Sequence, residues 1–239
     1  MAHRDFLDVS EVRDPHPGSS SRAERNFSIS ETNHRIANNL AILASAVGIR
    51  ATEVSRSRRH LSHEEGSLLL GEIRAKILTI AWLHRFLSSE PAADCLDLND
   101  HLYRVCETLL SVLSDAQRAT LVRIGAGECF VPVGKVIPLS LIVTELVTNS
   151  LKYAHPANAP GMIFVGCREE TDGSLIVEAA DDGVGLPEGF DPATGGGTGA
   201  RTIRALAKQL GAQVSFDSGP IGLRFKLRLP SRAGNSHAK

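Results

Sequence analysis

The stretch 145-ELVTNSLKY-153 carries Glu145, Asn149 and Lys152 at i, i+4 and i+7, so a helix there places an acid, an amide and an amine on one face. Val143 and Val147 fall toward the opposite side, where a core would take them. A carboxylate and a carboxamide one turn apart suit a magnesium ion, which takes few protein oxygens and completes its shell with water and phosphate. The same residues also fit an ordinary solvated helix face, so the flanking sequence has to separate the two readings.

Downstream, GMIFVGCREETDGSLIVEAADDG reads as two β-rich runs around an Asp-Gly turn. It runs into 181-DDGVG-185, where Gly183 and Gly185 let the backbone turn sharply and approach a flat ligand, and Asp181 at a strand end can accept from an exocyclic amine. A plain β-turn explains DDG equally well. Next comes 195-GGGTGAR-201, which opens a helix from about Gly199 to Leu210 that stops at Gly211. Free N–H groups and the positive helix end point at an anion there, and Arg201 adds charge. It is not a Walker loop, since no Gly-Lys-Ser/Thr follows.

Upstream, ATLVRI and CFVPV look like short strands and IPLSLIVTELVTNSLKYA like a helix, while QVSFDSGPIGLRFKLRLP forms a last hairpin. The expected fold from residue 116 to 231 is an α+β two-layer sandwich, an antiparallel-rich mixed sheet with helices on one face.

Before it the texture is helical. Apolar residues recur at Ile29, Ile36, Leu40, Leu43, Val47 and Val54, and after the basic stretch SRSRRHLSHEEG again at Leu70, Ile73, Ile77, Ile80, His84 and Leu87. Two helices joined by a turn make an α-helical hairpin, and its single seam predicts a homodimer in which a second hairpin completes a four-helix bundle. Pro91 ends the hairpin, and a third helix carries Leu98, Leu102, Val105, Leu109 and Val112 on one side. The hairpin region spans 29–115; residues 1–28, charged and rich in Ser, Pro and Gly, and residues 232–239 read as flexible tails.

In 31-ETNHRIANNLAIL-43, His34 precedes Ile36 by two residues and so lies roughly 200° around the helix from the apolar stripe, facing solvent. Arg35 adds a positive charge beside it, and Asn38, one turn on, can orient the imidazole. A neutral imidazole is a competent nucleophile near neutral pH. His84 falls on the stripe and reads as an interior histidine. His60 and His63 sit with Arg56, Arg58 and Arg59 in a basic turn that reads as a solvated connector, with partner docking as the alternative.

Bulk properties narrow the classes. The 239 residues are 42% hydrophobic, enough for a core, and 26 Lys plus Arg balance 27 Asp plus Glu, giving no general electrostatic reason to expect nucleic acid or an acidic membrane as partner. Cys95, Cys106, Cys129 and Cys167 form no C-x-x-C pair, which suggests neither a zinc site nor a disulfide framework and makes a reducing cytoplasm the default. The longest apolar run, Val136 to Val143, is interrupted by Pro138 and Ser140, so the chain reads as neither secreted nor membrane-spanning.

Taken in order, ELVTNSLKY, DDGVGLP and GTGARTIRALAKQLGA resemble the N, G1 and G2 boxes of the ATP-binding domain shared by sensor histidine kinases, gyrase B, heat-shock chaperone ATPases and mismatch-repair ATPases (the GHKL type). ETNHRIANNL looks like the phosphoacceptor box of the HWE and type-2 histidine kinases. The resemblance implies that Asn149 ligates the Mg2+ bridging the ATP phosphates, with Glu145 beside it polarising water or metal. It further implies that Lys152 approaches the phosphates, Asp181 accepts the adenine amine, and Gly183 and Gly185 let the backbone close around the base. Residues from about Pro187 to Thr198 would form the nucleotide lid, with Gly197 and Gly199 at its phosphate-contacting end.

The implied activity is autophosphorylation of His34 from Mg-ATP, followed by transfer to an aspartate of a response regulator receiver domain. Input would come from a separate sensory protein, or the chain would work as a constitutive or partner-controlled module. An alternative keeps the same fold as a histidine phosphotransferase or response-regulator phosphatase with a weak or unused nucleotide site. A serine-kinase anti-sigma factor is disfavoured, since it needs no N-terminal hairpin. Two positions depart from the pattern: Ala37 stands where relatives often have lysine, and G-T-G-A-R stands for G-x-L-G-L, with Ala200 replacing a bulky apolar residue.

Overall fold

The computed structural model describes residues 40–41, 44–45, 47–48, 51–52, 54–56, 60–89, 94–113, 120–155 and 159–231. Residues 39–239 cluster into one compact unit. The described residues between 40 and 56 are helical, and residues 60–62 leave the helix. Ser62 and Glu65 then form a capping box: the Ser62 hydroxyl accepts from the Glu65 amide at 3.1 Å and the Glu65 carboxylate from the Ser62 amide at 2.9 Å. That box starts α1 (His63–Ser89).

The chain continues through β1 (Cys95–Asp97), α2 (Leu98–Leu113), β2 (Thr120–Ile124), β3 (Phe130–Pro132) and α3 (Val133–Asn149). After α3 come a π-helical turn (Ser150–Ala154), β4 (Gly161–Glu169), β5 (Leu175–Asp181), α4 (Thr198–Leu210), β6 (Gln213–Gly219) and β7 (Gly222–Leu229). β1 and β3 form a two-stranded antiparallel ribbon. The main sheet runs β2-β4-β5-β7-β6, parallel only at β2–β4. This is the expected mixed sheet of a GHKL-type sandwich.

Alternation along the strands decides the faces. Ile163, Val165 and Cys167 of β4, Val177 and Ala179 of β5, and Phe225, Leu227 and Leu229 of β7 are buried toward α2, α3 and α4. On the other face Glu178 lies between Arg168 and Arg224, at 3.1 and 3.2 Å. Helix α3 is buried from Val136 to Thr148 on every side, as expected of a segment apolar all round. Helix α4 stops where Gly211 turns left-handed at φ 64°.

Buried polar groups lock α2 to the sheet. Asn99 donates to the Gly127 and Cys167 carbonyls at 2.8 and 2.9 Å and accepts from the Cys167 amide at 2.7 Å, so its carboxamide pairs with β4 as a neighbouring strand would. Asp97 caps α2 at the Asn99 amide and also takes the Cys129 amide.

Three features differ from expectation. Cys129 and Cys167 form a disulfide, because the chain topology brings the segment before β3 alongside β4. β1, only three residues long, is too short for its alternation to register. Helix α1 buries Glu72, Ala75, Lys76, Thr79 and Ile80, whereas Leu70 and Ile77 of its apolar stripe stay exposed. The side that docks is rich in small and charged residues, so periodicity located the apolar stripe but not the face that α2 and α3 cover.

Candidate functional site

Helix α3 delivers Glu145 and Asn149 one turn apart, and the π turn that follows resets the helical phase before Lys152. Strand β5 ends on Asp181, and the glycine loop enters α4 at Thr198. These elements surround one cavity of about 450 Å3, whose lining includes Glu145, Asn149, Lys152, Asp181, Gly185, Gly197 and Gly199. Far from being a solvated face, Glu145 is only 7% exposed. Arg201 is exposed on α4 outside the lining. His34, Ala37, Arg35 and Asn38 lie outside the described residues, as does the side chain of His84.

Close backbone approach explains two glycines. A Cβ on Gly183 would meet the Ala154 carbonyl oxygen at 2.3 Å, where the Val184 amide donates to the same oxygen. A Cβ on Gly199 would lie 3.0 Å from Glu145 Oε2 and 3.6 Å from Asn149 Nδ2. The third motif therefore packs directly on the first, and the second on the end of the π turn.

Asp181 is fixed by three donors. Ser150 Oγ donates to Oδ2 at 2.7 Å, and the amides of Gly183 and Leu223 to Oδ1 at 3.1 and 3.3 Å. An ionised carboxylate has about four acceptor directions, so one remains for an exocyclic amine. Ile203, Leu223 and Phe225 give the cavity apolar walls suited to a flat ring.

At the loop, Asp191 accepts from the Ala193 amide and the Thr194 hydroxyl, both at 2.8 Å. The Thr194 hydroxyl, before the Ala193 amide, holds its carboxyl below the usual range. Arg204 of α4 donates to the Pro192 and Gly195 carbonyls at 2.9 and 2.7 Å, so helix and loop are braced. A Cβ on Gly196 would lie 2.6 Å from the Ala200 methyl, so the small residue at 200 makes room for the loop backbone. Below the cavity Asp182 accepts from the Met162 amide and lies 2.7 Å from His155; that amide, first, and His155 depress its pKa.

Two further side chains reach the site from α1. Lys76 Nζ lies 2.5 Å from Glu145 Oε1, and Glu72 is paired with Lys152. Ser150, Arg204, Glu72 and Lys76 were not anticipated. Ser150 had a signal, following Asn149 directly; the α1 pair had only its i, i+4 spacing, which opposes in sign the charges of Glu145 and Lys152.

The residues fit a nucleotide. The cavity has an apolar wall with one free acceptor position at Asp181, glycines at its lining, and buried hydroxyls on Thr148 and Thr198 that find no partner among the described residues. Among the described residues no three His, Cys, Asp or Glu side chains gather, so a divalent ion would depend on Asn149, Glu145 and the ligand's own phosphates. No helix among the described residues is long and apolar enough to cross a membrane.

Comparison with known proteins agrees with this geometry. Residues 134–233 match the family described as histidine kinase-, DNA gyrase B-, and HSP90-like ATPase, and residues 31–113 match a family described as histidine kinase, of the type-2 HisKA kind. A blue-light-activated histidine kinase 2 of Erythrobacter litoralis is 25% identical over 206 residues, covering 84% of this chain and 56% of the relative. The sensor histidine kinase PdtaS of Mycobacterium tuberculosis is 28% identical over 221 residues, covering 86% and 42%. The chain thus spans about half the length of these relatives. The solved histidine kinase domain of an Erythrobacter litoralis blue-light-activated kinase superposes with a TM-score of 0.65 at 24% identity, over 87% of this chain and 95% of that one, a likeness of fold. With both regions matched in order, the chain carries a type-2 HisKA histidine kinase region followed by a GHKL-type ATPase domain, and it is homologous to these sensor kinases.

Proposed function

We propose that the chain is an ATP-dependent protein histidine kinase of a two-component system, which phosphorylates its own His34 and passes the phosphoryl group to an aspartate of a response regulator. The observation that carries this reading is the meeting of Glu145, Asn149, Lys152, Asp181, Gly197 and Gly199 around one cavity. Asp181 and the apolar wall take the adenine. Asn149 holds a Mg2+ ion, with Glu145 acting through water, and the ion supplies charge neutralisation on the phosphates. Lys152, Gly197 and Gly199 receive the phosphate end, and Arg201, on the same helix as Gly199 but outside the cavity lining, adds positive charge.

In the transfer, the imidazole nitrogen of His34 forms a bond to the γ-phosphorus as the bond to the β,γ-bridging oxygen breaks, ADP leaves, and the imidazole proton is lost. Arg35 and Asn38 support the acceptor. Catalysis rests mainly on positioning and electrostatics. The phosphotransfer region is 29–115 and the catalytic domain 116–231, with tails at 1–28 and 232–239. Exposure of Leu70 and Ile77 along α1, at 68% and 49%, supports a homodimer in which a second hairpin covers that stripe. The chain works in the cytoplasm.

Incubation with radiolabelled ATP and magnesium is expected to give an acid-labile, base-stable label that His34→Gln and Asn149→Ala abolish; a fully labelled His34→Gln protein sinks the reading. One observation favours a second reading, a histidine phosphotransferase or response-regulator phosphatase: Glu145 and Lys152 are both engaged by α1. Calorimetry without heat of binding at millimolar ATP would put that reading first.

A further inference from the structure

The i, i+4 pair Glu72 and Lys76 brings a complete set of counter-charges to the phosphate end of the cavity. Glu72 and Lys76 are 4% and 8% exposed, both line the cavity, and they pair with Lys152 and Glu145 respectively. Glu145 is divided between two neighbours: Oε1 faces Lys76, and Oε2 faces the backbone of Gly199. Packing beside the pairs fixes the helix, with Ala75 and Ile80 buried and the Trp82 ring 4.6 Å from that of His101 on α2.

Buried charges of this kind persist only when compensated, and removing one partner leaves an uncompensated charge in a poorly solvated place. Under the kinase reading, on which this inference rests, the compensation can come from two sources. A Mg-nucleotide brings a cation to the Asn149 and Glu145 end and anionic oxygens to Lys152. Helix α1 brings the same signs to the same side chains, an ammonium to Glu145 and a carboxylate to Lys152.

We propose that α1 is an internal stand-in for Mg-ATP: Lys76 takes the place of the cation at Glu145, Glu72 takes the place of the phosphate at Lys152, and nucleotide binding and α1 docking exclude each other. Because coupling between two sites is reciprocal, any partner that pulls α1 away tightens nucleotide binding, and nucleotide loosens α1 by the same factor. The exchange costs little, since neither side chain of the ATPase domain passes through an unpaired state. It also links the helical region to the catalytic domain before any phosphoryl transfer takes place.

The test uses the full chain and a non-hydrolysable ATP analogue with magnesium. The double substitution Glu72→Gln, Lys76→Met removes both counter-charges while keeping side-chain size, and the dissociation constant is expected to fall by about fivefold or more, the lower range of typical coupling. A constant that rises or stays the same overturns the exchange, a rise marking the α1 pair as part of the nucleotide site. A second measurement needs no variant: in the wild-type chain, saturating Mg-analogue should speed hydrogen–deuterium exchange of the α1 backbone amides, and unchanged or greater protection overturns the proposal. Absence of saturable binding in both proteins overturns the nucleotide reading itself, and the exchange with it.

Discussion

Ser150 donates its hydroxyl to Oδ2 of Asp181 across 2.7 Å, tying the first residue of the π turn to the last residue of β5. The amides of Gly183 and Leu223 hold Oδ1 independently, so the carboxylate survives loss of the serine with a looser orientation. Ser150→Ala should therefore weaken ATP binding by about 0.5–1.5 kcal/mol, less than the roughly 1.5–3 kcal/mol of a full hydrogen bond to a charged group because two amides still hold the carboxylate, or roughly two- to tenfold in Kd. Asp181→Ala, which orphans both amides as well, should abolish measurable binding. Calorimetric titration of both variants separates the two effects.

Glycine positions give a paired prediction. Gly199→Ala puts a methyl 3.0 Å from Glu145 Oε2, and a carboxylate that yields to it disturbs its pairing with Lys76. Gly134→Ala, in the exposed first turn of α3, meets nothing within 4 Å. The first substitution should lower nucleotide affinity with little change in melting temperature. The second should stabilise the protein by about 0.5–1 kcal/mol through helix propensity, with binding unchanged.

Motif spacing made the three candidate-site segments legible because each needs particular residue types at fixed offsets, and the structure brings ELVTNSLKY, DDGVG and GGGTGAR together at one cavity. Strand alternation and the Asp-Gly turn foretold β4 and β5 for the same reason. Tertiary choices left no such trace. The apolar period of α1 is real, yet the side that docks carries Glu72 and Lys76 while Leu70 and Ile77 remain exposed. Likewise, nothing in the spacing of Cys129 and Cys167 reveals that β4 passes the segment before β3. Ser150 belonged to a recognised motif, but its role depends on where β5 ends.

Asn99 offers a test of the fold apart from the site. Its carboxamide satisfies the Cys167 amide and carbonyl and the Gly127 carbonyl while 4% exposed. Asn99→Ala leaves three backbone groups without partners and should cost about 2–4 kcal/mol in urea unfolding. Asn99→Asp should cost more, because it turns an acceptor toward two carbonyls that need donors. A smaller loss for aspartate than for alanine would mean that water enters the cavity and replaces the lost bonds.

His101 sets an acid limit on stability. Its ring is 1% exposed. Nε2 lies 2.7 Å from Ser140 Oγ, which donates its own proton to the Val136 carbonyl, so Nε2 must be the protonated nitrogen, and Nδ1 has no partner among the described residues. Burial, opposed by the Asp100 charge and aided by that of Arg104, lowers the pKa from 6.5 to about 4. The unfolded chain therefore binds a proton between these values that the folded chain refuses. Stability from neutral His101 is fully present above pH 6.5 and is lost as pH falls toward 4, by up to roughly 3 kcal/mol. His101→Phe keeps a ring against Trp82, leaves Ser140 bonded to Val136, and removes the titration. Unfolding free energies measured between pH 7 and pH 4 should then fall less steeply in the variant than in the wild type, and parallel profiles would place the acid sensitivity elsewhere.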